Sequence, residues 1–66
     1  MDTTFKERLV EEHSALYEKI EKLSKFINES DIFKGLSTEH QDLLKQQLHY
    51  MNEYHQILIQ RIKLLS

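Results

Sequence analysis

Apolar side chains recur along this chain at alternating gaps of three and four residues. The first series is Leu9, His13, Leu16, Ile20, Leu23 and Ile27; the second is Leu44, Leu48, Met51, His55, Leu58, Ile62 and Leu65. Such gaps hold side chains on one stripe of an α-helix, whereas a half-buried strand needs strict alternation. Two helices are therefore predicted, over about residues 4–28 and 37–65. Thr4, with Glu7 three positions on, has the capping-box spacing that opens the first. Ser37 opens the second, where Glu39 and Asp42 place negative charge near the positive end of the helix dipole, and Arg61 and Lys63 suit its other end.

Between the two runs lies Glu29 to Leu36, which holds the single Gly, Gly35, in a chain without Pro. A connection this short makes the helices antiparallel neighbours. One helical turn within it is expected to tuck Ile32 and Phe33 over the end of the hairpin. Folding the chain back there pairs Leu9 with Leu58, His13 with His55, Leu16 with Met51, Ile20 with Leu48 and Leu23 with Leu44, so the stripes match layer by layer. On the outer face, Glu18 with Lys22 and Glu21 with Lys25 have the favourable i to i+4 order. The reading is one all-α domain, residues 1–66: an antiparallel helical hairpin with a short extra helical turn.

A second stripe runs along the C-terminal helix beside the first: Leu43, Gln47, Tyr50, Tyr54, Ile57, Arg61 and Leu64. Two helices cannot cover both. Val10, Tyr17 and Phe26 also stand off the main stripe of the first helix, so the hairpin is expected to expose apolar and aromatic patches of the kind that mark interfaces. Size sharpens the point. A chain of 66 residues buries little surface by itself, and with no Cys it has neither a disulfide framework nor a thiolate metal site to compensate. Assembly into a helical oligomer is the remaining device.

Charge narrows the partners. Nine Lys and Arg stand against eleven Asp and Glu, a formal net charge of -2, and both signs are mixed along each helix. That is not the basic face on which duplex nucleic acid is held through many phosphates. No apolar run approaches the roughly 20 residues of a membrane span, and the N-terminal Met1, Asp2, Thr3, Thr4 lacks a basic region followed by an apolar signal core. A cytosolic protein is expected, with no membrane partner, no cofactor and no resident metal.

His13 and His55 are the odd members of otherwise apolar stripes and are expected to face each other. Two imidazoles make too few ligands for a tetrahedral metal unless Glu12 or an oligomer axis adds more, and neither helix offers a second His one turn away. The alternative is a pair hydrogen-bonded to each other, to a carbonyl or to water, which sets the register of the hairpin and makes its stability depend on pH. Catalysis finds no support: Ser14, Ser24, Ser30, Ser37 and Ser66 have no base at recognisable spacing, and no Gly-rich phosphate loop is present. Binding remains. Phe5, Tyr17, Tyr50 and Tyr54 are candidates to stack on planar rings, and Arg8, Lys19 and Arg61 to meet phosphates, although Tyr50 and Tyr54, one turn apart, also suit plain interface packing.

The pattern Arg8-x-x-x-Glu12-x-x-x-Leu16-x-x-Lys19-x-x-Lys22-Leu23-x-x-Phe26-Ile27, followed by Gln47-Leu48-x-x-Met51-x-x-Tyr54-x-x-x-Leu58-x-x-Arg61-Ile62, resembles the small helical-hairpin proteins of bacteriophages that act as anti-CBASS and anti-Thoeris nucleotide sponges. The resemblance spans nearly the whole chain, with Arg8, Glu12, Lys19, Gln47, Tyr54 and Arg61 as its polar or aromatic members. It implies a homo-hexamer in the host bacterial cytoplasm. It also implies immune evasion, through sequestering cyclic di- or trinucleotides or cyclic ADP-ribose isomers without cleaving them. Carried over residue by residue, it makes Phe5, Arg8, Glu12, Lys19 and Arg61 the ligand-binding set. Lys19 contacts phosphate, Phe5 lies near an aromatic that stacks on a base, and Arg61 lies near an arginine lining a second site on the symmetry axis. Phe5 departs from the Tyr of the pattern, and Leu65 stands where a small hydroxyl residue serves the axial site, which speaks against a cyclic trinucleotide. A homotypic helical structural or interaction module without ligand is the other class left open.

Overall fold

A computed structural model describes residues 3–65, without the side chain of Thr3. Helix α1 runs Thr3–Glu29, α2 is the single turn Asp31–Lys34, and α3 runs Thr38–Leu64. The chain is an all-α helical hairpin, with α1 and α3 packed along their length and α2 closing one end. The rod measures 48 × 15 × 13 Å. No helix of the described residues is long and apolar enough to cross a membrane.

The inner stripes make the contact between the long helices. Leu9, Leu16 and Leu58 form the buried core, with Ile20, Met51, Ile62 and Leu65 packed against it. His13 and His55 meet in the expected layer, their rings stacked at 4.3 Å between centroids. Every member of the second stripe on α3 is exposed, from Leu43 to Leu64. A helix that turns seven large or polar side chains to solvent at heptad spacing has a face without a partner.

The ends differ in detail from the expectations. Thr4 lies inside α1, so the Thr4–Glu7 pair is not a capping box at its start. Ser37 caps α3, its hydroxyl accepting from the His40 N–H at 3.1 Å. At the corner, Phe33 is buried and meets Phe26 edge to face at 6.0 Å, which draws Phe26 out of the exposed set. Ile32, however, is 71% exposed and does not tuck in: a single helical turn points consecutive side chains about 100° apart, so only one of the two can face the hairpin. Three carbonyls around the corner are gathered by one side chain, the Gln41 amide, whose two N–H groups point to Phe33 O at 3.0 Å and Leu36 O at 3.1 Å and reach Lys34 O at 3.4 Å; Phe33 O also accepts from the Leu36 N–H at 3.1 Å.

Among the described residues the ion pair formed is Lys34 to Asp31, 3.7 Å apart and open to water. Glu21 does not reach Lys25. It accepts instead from the Tyr17 hydroxyl, and that hydrogen bond, with the carboxylate charge behind it, holds the phenol above its ordinary value. Exposed lysine pairs gain too little to hold two long side chains in one geometry.

Candidate functional site

Helix periodicity places Phe5, Glu12 and Lys19 on one face of α1 at intervals of seven residues, with Arg8 one turn from Phe5. On α3 the only cation of the outer stripe is Arg61. The antiparallel register brings that end of α3 beside the start of α1. The result is a cleft of about 190 Å³ between the helices, lined by Phe5, Arg8, Leu9, Glu12 and Arg61. Its floor is the buried Leu9, and its walls come from both helices. The Arg61 guanidinium lies over the Phe5 ring, 6.0 Å from the centroid, at the outer reach of a cation–π contact.

Four of the five residues in the expected binding set thus share one cleft. Two arginines and one glutamate line it, beside a half-exposed phenyl ring. Guanidinium groups are forked donors suited to phosphate oxygens, the carboxylate is an acceptor for ribose hydroxyls or an exocyclic amine, and the ring face suits a base. Among the described residues no hydroxyl, thiol or imidazole lines the cleft. Lys19 lies outside it, exposed on the same face of α1 and about 10 Å further along the axis.

The remaining candidates stand elsewhere. Tyr17 has its ring 5.7 Å from His55, and Tyr50 and Tyr54 are exposed on the outer stripe of α3. A larger depression of about 390 Å³ lies near the hairpin turn, lined by Lys22, Lys25, Phe26, Glu29 and Ser30. All five come from one stretch of chain, so it is an open trough along a single helix and lacks the second wall that the Phe5 cleft has.

Sequence reasoning missed the pairing of Phe5 with Arg61, assigning them to separate surfaces. The signal was present. The layers pair residues whose numbers add to 67 or 68, and Phe5 with Arg61 falls one short, on the flank of the same layer. Leu9, read only as core, also forms the cleft floor.

His55 is buried, and its Nε2 has no hydrogen-bond partner among the described residues. Burial first, and the neighbouring His13 second, push its pKa below the ordinary histidine value. Among the described residues no group of three or more His, Asp or Glu is gathered to hold a metal ion.

Comparison with known families places this geometry. A family model described as Sequestin matches residues 3–64, which takes in both long helices and the turn between them. No curated protein and no solved structure matches the chain.

Proposed function

The chain belongs to the Sequestin family, whose description names sequestration, and from that membership and the cleft at Phe5 we propose that it is a phage anti-defence protein that sequesters cyclic nucleotide immune signals. The ligand is a cyclic di- or trinucleotide or a cyclic ADP-ribose isomer, held without cleavage by a homo-oligomer, a hexamer, in the host bacterial cytoplasm. One observation carries the reading: an aromatic face, two guanidinium groups and a carboxylate converge in one small cleft beside an otherwise mixed-charge rod.

In this reading Phe5 stacks on a base, Arg8 and Arg61 bind phosphate, and Glu12 accepts from a ribose hydroxyl or an exocyclic amine. Lys19, further along the same face, meets a second phosphate of a ligand longer than the cleft. A volume of about 190 Å³ is below the roughly 300 Å³ at which ligand pockets begin, which suits a site finished by a neighbouring copy. A net-negative surface suits a short ligand held by few cations and disfavours long nucleic acid.

Calorimetry with a panel of cyclic dinucleotides, cyclic trinucleotides and cyclic ADP-ribose isomers tests the proposal. At least one is expected to bind, and chromatography of ligand released by heating is expected to return it chemically unchanged. Cleaved product overturns sequestration in favour of an enzyme. Silence across the whole panel overturns the ligand and leaves the other reading, a helical interaction module, which the exposed stripe of α3 favours.

A further inference from the structure

The outer stripe of α3 has a regularity that the cleft does not use. Leu43, Tyr50, Ile57 and Leu64 stand seven residues apart, with Gln47, Tyr54 and Arg61 four residues after the first three. These are the two seam positions of a heptad repeat over three full turns of the pattern. Its apolar members are 42% to 85% exposed, with Leu64 at 85%. Hairpin packing covers the neighbouring stripe, so this one is complete and free.

We propose that this seam pairs with the same seam of a second copy, antiparallel, about a two-fold axis at Tyr54. The stripe is self-complementary in that sense and no other. Reversing one copy sets Leu43 against Leu64, Gln47 against Arg61, Tyr50 against Ile57 and Tyr54 against Tyr54, every layer with numbers adding to 107 or 108. Apolar meets apolar, aromatic meets aromatic or aliphatic, and the one cation meets an uncharged amide. A parallel pairing sets Arg61 against Arg61 inside the contact, where like charges repel. Isologous two-fold contacts are also the commonest way for identical chains to join.

The area is sufficient. With Tyr side chains offering about 150–250 Å² each and the Leu and Ile somewhat less, the exposed fractions leave on the order of 500 Å² of apolar surface per copy, about 1,000 Å² in all, the floor that a biological interface clears, before the Gln47 and Arg61 stems are added. The pairing has a consequence for the cleft. Gln47 of the second copy comes to rest beside Arg61, which is a wall of the Phe5 cleft, so each cleft is closed by an amide that its own chain does not supply. The inference rests on the oligomeric part of the proposed function and is independent of the ligand.

The absence of Cys makes the test clean. Sedimentation of the nucleotide-free wild type at micromolar concentration is expected to show a dimer or a multiple of dimers. Under mild oxidation Tyr54→Cys links to itself, since a residue on the axis meets its own copy within disulfide reach. Leu43→Cys and Leu64→Cys do not link alone and do link when mixed and allowed to exchange. Both positions lie outside the hairpin core, so these variants keep their fold even if Tyr54→Cys does not. Tyr54→Glu lowers the sedimenting mass. A monomeric wild type, or self-linking of Leu64→Cys without linking in the Leu43→Cys and Leu64→Cys mixture, overturns the pairing. None of these measurements contains nucleotide: correct links with a silent calorimetric panel refute the ligand alone, and a bound ligand with wrong links refutes the seam alone.

Discussion

Phe5 and Arg61 come from opposite ends of the chain, yet the hairpin sets the guanidinium over the ring. A base entering the cleft slides against that ring, so Phe5→Ala is expected to weaken ligand binding by about 1 to 3 kcal/mol, the value of one stacked base. Arg61→Ala and Lys19→Ala each remove a charged donor, with an expected loss of about 1.5 to 3 kcal/mol per hydrogen bond to the ligand. Calorimetry on all three separates the roles: an unchanged affinity in Lys19→Ala confines the site to the cleft. His55 poses a different question at the same scale. Its imidazole is packed in the core, with His13 and Tyr17 facing it from α1, and its folded pKa is depressed below the unfolded value of 6.5. As pH falls through that value the unfolded chain takes up a proton that the folded chain refuses. Stability is therefore full above pH 6.5, declines below it, and stops declining once the folded pKa is passed. Unfolding midpoints between pH 7.5 and 5 are expected to fall in the wild type and to stay nearly flat in the His13→Leu, His55→Leu double variant, beyond the slope common to both. Equal slopes remove the pair as the cause.

At the scale of elements, the long helices were legible because their pattern is physical: a seam of period 3.5 can only be buried by a helix, and two matched seams can only meet antiparallel across a short turn. The corner was legible only in part. Gly35 reads as the break, but its backbone is right-handed, at φ -84° and ψ -8°, and a Cβ there meets nothing closer than the Ile32 carbonyl at 3.6 Å. Beside the backbone bonds of the turn, the corner is held by Gln41, whose amide nitrogen reaches three carbonyls, and no periodicity announces a side chain that works through backbone groups of another segment. Opposite outcomes follow for the two residues. Gly35→Ala is expected to stabilise the protein by about 0.4 to 1 kcal/mol, because it restricts the unfolded chain without straining the folded one. Gln41→Leu leaves the half-buried Leu36 carbonyl without its donor and takes one of two donors from the Phe33 carbonyl, and is expected to destabilise by about 1 to 3 kcal/mol. Urea melts of both variants decide it. A destabilised Gly35→Ala restores the glycine as the determinant of the turn.

For the molecule as a whole, few large apolar side chains are turned inward. Among the described residues the buried apolar set is Leu9, Leu16, Phe33 and Leu58, of which Leu58 alone is fully buried, and His55 is the buried polar residue. A two-helix rod lacks the third layer that would cover Tyr50, Ile57 and Leu64. On the proposed seam a second copy covers them, and folding is then linked to association. A linked equilibrium has a signature that a self-sufficient monomer cannot show: the unfolding midpoint rises with protein concentration, because mass action favours the assembled state. Thermal melts from about 1 to 100 μM are expected to shift upward by several degrees in the wild type. Ile57→Glu, which places a carboxylate in the outer seam and leaves the hairpin core untouched, is expected to melt lower and without concentration dependence. Saturating nucleotide adds a second shift, about 2.7 kcal/mol at a hundredfold excess over the dissociation constant, and in Ile57→Glu that shift is expected to shrink along with the neighbour that completes the cleft. A wild-type midpoint that stays constant across the concentration range means the hairpin stands alone, and the coupling between assembly and ligand falls with it.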